Sequence, residues 1–147
     1  RTSEEQLDLS NATADHTINE KIEFIKENAG DRSKKSDIKT NIAALTKLAE
    51  WYGLSSTQLE EVLDVVLDSK LDEADNNKLA KSLVPRDKVP EMLAIHVLGH
   101  LGQSVLKFTT QAILLRWVVI AYNLLDNHSK LQLLYGVVFH YLEYNLL

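Results

Sequence analysis

The sequence predicts an all-α fold: antiparallel helix pairs stacked as a HEAT-like α-solenoid fragment, with about seven helices. Three observations carry this. No segment alternates apolar and polar residues over a strand's length, and the short turn signals of β-hairpins are absent. Almost every punctuation residue is a helix start or stop. The last third, Gln111 to Leu147, holds two segments that are apolar nearly all round, and a helix of that kind must be covered on more than one side.

The elements follow in order. Residues 1–16 read as a polar N-terminal segment, and residues 17–147 as a helical-repeat domain. Thr17-Ile18-Asn19-Glu20 has the form of a capping box, and Ile18, Ile22, Ile25 and Ala29 follow at helical spacing. Gly30 stops that helix, and Asp31 to Lys35 reads as a charged loop. Ser36 is a good N-cap for a second helix whose apolar set is Ile38, Ile42, Leu45, Leu48, Ala49 and Tyr52. Gly53 stands where a left-handed C-terminal cap falls.

The third helix opens at Ser55, with Gln58 completing a capping box. Its inward face is Leu59, Val62, Leu63 and Val66, with Glu60, Glu61, Asp64 and Asp68 largely on the other side. Ser69-Lys70 breaks it. Asp72 to Leu83 is a weaker helix with Leu79, Ala80 and Leu83 facing in, and Pro85 ends it. Pro90 fits the first turn of a fifth helix running to about His100. The sixth starts at Gly102 or Ser104 and runs to Leu125. The seventh follows the elbow Asp126-Asn127-His128-Ser129 and runs to the end. Loops of about 2–6 residues imply antiparallel neighbours. Tyr141 to Leu147 is still apolar where the sequence stops, whereas a solenoid needs a polar cap, so the chain reads as a fragment or as an end covered by a partner.

Composition narrows the function. The 147 residues are 45% hydrophobic and 25% charged, ordinary values for a folded domain. There is no cysteine, which removes disulfides, thiolate zinc sites and cysteine nucleophiles. Net charge is −5 and uneven: residues 1–88 carry 18 acids against 13 bases, residues 89–147 three of each. Without a basic stripe, direct nucleic-acid binding is not expected from this segment, since such binding rests on phosphate neutralisation. The polar, acidic N-terminus lacks a signal peptide's apolar stretch. Ala112 to Leu125 is too short for a membrane span and carries Arg116 near its middle, so both apolar segments are expected to be buried in protein.

The segment from Ala112 to Leu147 resembles the centromere protein I family of the inner kinetochore. The residues that carry the resemblance are Arg116-Trp117 in a long apolar helix, the acidic elbow at Asp126, and Leu133-Leu134-Tyr135-Gly136 leading into Val137-Val138-Phe139. Upstream, Trp51-Tyr52-Gly53-Leu54 followed by a serine-capped acidic helix is similar in layout. The resemblance implies a HEAT-like, non-enzymatic subunit of the constitutive centromere-associated network, without a cofactor, located at the kinetochore of the chromosome's centromere in the nucleus. It implies as partners the head of the centromere protein H and centromere protein K heterodimer, and other inner-kinetochore subunits. An alternative is a generic helical-repeat adaptor that holds an amphipathic peptide or partner helix.

His96 and His100 stand four apart, a metal-chelating spacing, but Val97 occupies the place of the zinc-hydrolase glutamate and no third ligand is near in sequence. They read as a structural or surface pair. No nucleophile or phosphate-cradling motif is present. Aromatic side chains dominate both cores and interface hot spots. Trp51, Tyr141 and Tyr144 lie off the main stripes and are the interface candidates. Tyr52 joins them, with Lys39, Lys47 and Glu50 presented to a partner groove by the second helix. Arg116, Trp117, Asp126, Leu134, Tyr135 and Gly136 are structural positions. Arg116 either snorkels to the surface or pairs with Asp126 or Glu143 in an inter-repeat salt bridge that fixes the turn between the sixth and seventh helices.

Overall fold

The computed structural model describes residues 3–101 and 106–123, with positions 128, 130 and 135. Among the described residues the regular structure is helical: α1 (Ser3–Asn28), α2 (Lys35–Tyr52), α3 (Ser56–Asp68), α4 (Glu73–Lys81), α5 (Glu91–Leu101) and α6 (Phe108–Asn123). A 3-10 turn at Arg32–Lys34 precedes α2. The chain divides into two units, Arg1–Arg86 and Asp87–Leu147. The fold is all-α, as the caps and periodicity predict. Leu124, Leu125, the elbow at Asp126 and most of the segment predicted as a seventh helix lie outside the described residues.

In the first unit, α1 packs on α2 and α3, and α4 packs on α2 and α3. The stripe Ile18, Ile22 and Ile25 of α1 meets a core that includes Ile42 and Leu45 of α2, Leu59, Val62, Leu63 and Val66 of α3, and Leu79 of α4. All of these are almost fully buried. A side chain of that size stabilises the fold by about 1.5–3 kcal/mol when buried.

The first helix corrects the sequence reading. It begins at Ser3, not at Thr17, so the polar segment is the helix's first half. The capping box does not form. The hydroxyl of Thr17 donates instead to the carbonyl of Thr13, 3.1 Å away within the helix. The pattern Ser/Thr-x-x-Glu is equally compatible with a helix interior, and the buried stripe already includes Ala14, one turn before Ile18. Asp15 supplies a further tertiary anchor for this early part through Arg86.

The start of α2 also differs. Ser36 is not its cap; the helix begins at Lys35 after Lys34, whose side chain makes no capping bond. Asp31 caps the 3-10 turn, accepting from the Ser33 N–H at 2.9 Å and the Ser33 hydroxyl at 2.7 Å. The Asx geometry of Asp31 therefore takes the role assigned to Ser36.

The third helix starts as predicted. The Ser55 hydroxyl accepts from the Gln58 N–H at 3.3 Å, and the Gln58 amide oxygen accepts from the Ser55 N–H at 2.9 Å. Asp72 caps α4, its carboxylate accepting from the Asp75 N–H at 2.9 Å. Leu54 lies in an isolated bridge to Pro85: its N–H donates to the Val84 carbonyl at 2.7 Å, and its carbonyl accepts from the Arg86 N–H at 2.9 Å.

In the second unit α5 packs on α6. Leu93, Ala94 and Val97 of α5 are buried, as are Leu114, Trp117, Val118 and Ala121 of α6. Pro90 sits just before α5 and its carbonyl accepts from the Leu93 N–H at 3.0 Å. The sixth helix begins at Phe108, later than Gly102 or Ser104. The Lys107 carbonyl takes the Gln111 N–H, and the Gln111 side-chain amide donates to the Leu106 carbonyl, each at 3.0 Å. None of the helices among the described residues is long and apolar enough to cross a membrane.

Candidate interaction surface

Two surfaces combine apolar exposure with a nearby cation. The first is the outer face of α2. At 100° per residue, Ile38, Ile42, Leu45 and Ala49 form one face of this helix, and Thr40, Ala44, Lys47 and Trp51 form the opposite one. Core burial of the first face turns the second outward. Trp51 is 82% exposed, and Lys47 and Glu50 are exposed beside it. Tyr52 is half-buried. Lys39 is engaged within the unit: its ammonium donates to Asp75 Oδ1 at 2.9 Å, and this bond raises the lysine pKa.

The backbone just after Trp51 is clamped. Gly53 has φ 70° and ψ 163°, a conformation open in practice to glycine alone. A Cβ there would lie 2.5 Å from the Cα of Arg86. The Gly53 N–H donates to the Ala49 carbonyl at 2.8 Å. Arg86 grips the same turn from its side chain. Its Nε donates to the Tyr52 carbonyl and its Nη2 to the Gly53 carbonyl, each at 3.0 Å.

Arg86 is anchored in turn by the forked geometry that suits a carboxylate. Its Nη1 donates to Asp15 Oδ2 at 3.1 Å, and its Nη2 donates to Asp15 Oδ1. The side-chain amide of Gln58 donates to Asn19 Oδ1 at 3.0 Å and, at 3.4 Å, to Asp15 Oδ1. The Arg86 guanidinium holds the Asp15 carboxyl below the usual carboxylate value, although burial acts in the opposite direction. The turn after Trp51 is thus tied to α1, α3 and the strand-like exit of α4. Sequence reasoning missed this node because its members are scattered over more than 70 positions.

The second surface is on α6. Leu114, Trp117, Val118 and Ala121 are its buried side. On the opposite side Leu115, Val119 and Ile120 are 47%, 58% and 51% exposed. Their steps of four and one, with Ala112 three before Leu115, make a stripe wide enough to take another helix. Arg116 is exposed within that stripe. Trp117 is buried, and its indole N–H has no hydrogen-bond partner among the described residues. Tyr135 is 62% exposed. Asp126, Leu134, Gly136, Tyr141 and Tyr144 lie outside the described residues, so the pairing of Arg116 with Asp126 or Glu143 is not among the described contacts.

Other features offer less. His96 and His100 are both exposed, with ring centroids 4.3 Å apart, and His100 Nδ1 lies 3.0 Å from the His96 carbonyl. Among the described residues no three His, Cys, Asp or Glu side chains converge as a metal set. A cleft of about 590 Å³ opens beside Gly30, Arg32, Lys35, Lys70 and Asp72. Its walls carry charges of both signs, and Lys35 and Asp72 already pair at 2.8 Å.

Comparison with known proteins gives these surfaces a context. The Mis6 family model (CENP-I) matches residues 2–147. The inner kinetochore subunit mis6 of Schizosaccharomyces pombe is 32% identical over 132 residues, covering 86% of this chain and 20% of that protein. Centromere protein I of Gallus gallus is 28% identical over 111 residues, covering 75% of this chain and 15% of the relative. Centromere protein I of Mus musculus is 23% identical over 111 residues, with coverage of 76% and 15%. The chain therefore spans a fifth or less of the length of these relatives. No solved structure is matched significantly.

Proposed function

The chain belongs to the Mis6 family, whose members include the inner kinetochore subunit mis6 and centromere protein I, and we propose that it is a non-enzymatic scaffold segment of the inner kinetochore which holds the head of the centromere protein H and K heterodimer. Family membership puts the chain at the centromeric kinetochore, in the nucleus. The observation that supports a scaffold is the two-faced α6. One side is buried, and the other presents Leu115, Val119 and Ile120 to solvent. Such a helix is at home inside a stacked array, with a neighbour on each side, and this favours a HEAT-like solenoid in the full-length protein. Apolar burial drives the association, at roughly 25 cal/mol per Å² removed from water, less the cost of ordering the partners. The scaffold reading involves no chemical step and no cofactor, and no direct contact with DNA.

Co-expression tests it. The chain alone is expected to self-associate or to be poorly soluble. With the H–K heterodimer head it is expected to elute as a defined complex in size-exclusion chromatography, with a measurable Kd by calorimetry. A well-behaved monomer that shows no heat of binding with the head overturns the partner assignment.

A further inference from the structure

We propose that the outer face of α2, from Thr40 to Trp51, is a docking surface for an amphipathic partner helix that sheathes the Trp51 indole and sets a carboxylate against Lys47. This rests on the scaffold reading and names the place on the first unit where the partner is held. Four features of the face converge. Trp51 is 82% exposed, and tryptophan is the residue type most enriched among interface hot spots. It lies diametrically opposite the α2 residues that form the core, so it adds nothing to the packing of this unit. Its ground is rigid: the turn that follows it is gripped by Arg86 at two carbonyls, and Arg86 is gripped by Asp15. A backbone footing already held in place need not be ordered on binding.

The fourth feature selects the partner. Between Thr40 and Trp51, Lys47 is the single charged side chain within a quarter turn of the Trp51 direction. It is exposed, one turn before the indole, with no ion-pair partner among the described residues. Thr40 and Ala44 upstream are small and let a helix approach closely. The complement is a helix with an apolar socket for the indole and an Asp or Glu about one turn away. A wholly basic segment does not fit, because Lys47 would be desolvated against like charge.

The test uses the whole chain with the H–K head as probe. Trp51→Ala is expected to keep the parent's helical circular dichroism and melting temperature while weakening the head by at least ~30-fold, the size of a hot-spot loss. Lys47→Glu is expected to weaken it about tenfold or more and to reverse this pair's contribution to the salt dependence of Kd, because salt screens the new like-charge repulsion. Acrylamide quenching supplies a direct readout. Of the two tryptophans, Trp51 is exposed and Trp117 buried, so the parent's accessible fluorescence should become protected on binding, and Trp51→Phe should show no such change. If the parent binds the head while Trp51→Ala and Lys47→Glu bind it equally well, the docking face is wrong and the scaffold reading stands. If the parent itself fails to bind, the partner assignment falls first and the docking face with it.

Discussion

At the scale of single residues, the first unit is stitched by ion pairs that also cap backbone. Asp72 is the clearest case. Its carboxylate receives the Lys35 ammonium at 2.8 Å and the Asp75 N–H at 2.9 Å, and these bonds lower its pKa from 3.8 to about 2. A carboxyl whose pKa is depressed by folding stabilises the fold fully above its unfolded value, and that contribution disappears as pH falls through the folded value. The window here runs from about pH 4 down to about pH 2. Asp72→Asn keeps the cap acceptor and removes the charge, whereas Asp72→Ala removes both. Urea titrations followed by circular dichroism should show Asp72→Ala weaker at neutral pH by about 1 kcal/mol, the usual worth of an N-cap. Asp72→Asn should lie between it and the parent, with a shallower loss of stability between pH 4 and 2. An unchanged acid slope in Asp72→Asn would assign the acid sensitivity to the other depressed carboxyls, Asp15 and Asp31. Arg86 is the larger contributor, because four acceptor oxygens depend on it. Arg86→Ala is expected to lose about 2–3 kcal/mol, the scale of charge-assisted hydrogen bonds in a partly buried setting, seen as a lower urea midpoint at constant m. Nothing in the local sequence marks this residue. Arg86 follows Pro85 in what reads as a linker, and Asp15 sits in a stretch that reads as a polar tail. Their meeting is created by the packing of α1 on α2 and α3.

At the scale of elements, the signals that were legible are those whose physics is local. The Ser55–Gln58 capping box, the inward face of α3, and the inward set Leu79, Ala80 and Leu83 are where the periodicity puts them, as are Ile38, Ile42, Leu45 and Ala49 of α2, whereas Leu48 and Tyr52 at the edges of the α2 face are only half-buried. The start of α1 was not legible, since a capping-box pattern lacks the information to separate a helix start from a helix interior. The late start of α6 at Phe108 has a similar cause: Gly102 and Ser104 mark a break without saying how long it is. Gly53 shows the middle case. Its position predicts a helix stop, and the stop is there. Its backbone is not the left-handed helical cap but a more extended positive-φ turn, because Leu54 is drawn into the bridge with Val84 and Arg86. Two glycine substitutions separate conformation from position. Gly53→Ala must adopt φ 70° with its Cβ against the Arg86 backbone, and is expected to lose more than ~2 kcal/mol. Gly30→Ala meets open space at an ordinary φ and is expected to be neutral or to gain up to about 1 kcal/mol by restricting the unfolded chain. Thermal melts of the two variants side by side check both. Equal melting temperatures would mean that the Gly53 turn relaxes freely, and with it the rigid footing of Trp51.

At the scale of the whole molecule, the apolar excess of the last third was visible in the sequence, and its expression on α6 is the pair of opposed faces. What lies on the outer face of α6 was not legible, because apolar periodicity tells how many sides a helix must cover and not by what. The same holds for Trp51: its place off the core stripe of α2 marks it as an interface candidate, while its rigid setting depends on Arg86 and is written in no local pattern. The division at Arg86 gives these surfaces separate foundations. The first unit contains its own core, its own caps and the Arg86 node, and a domain of that size buries about 60% or more of its unfolded surface. A chain ending at Lys88 is therefore expected to fold alone, with one cooperative urea transition followed by circular dichroism. A chain ending at Val84 lacks both the bridge between Leu54 and Arg86 and the guanidinium clamp. It should unfold at a clearly lower urea midpoint, by at least as much as Arg86→Ala does in the whole chain. Identical midpoints for the two truncations would show that the clamp is idle. A Lys88-terminated chain without a cooperative transition would show that the first unit draws its stability from residues beyond it.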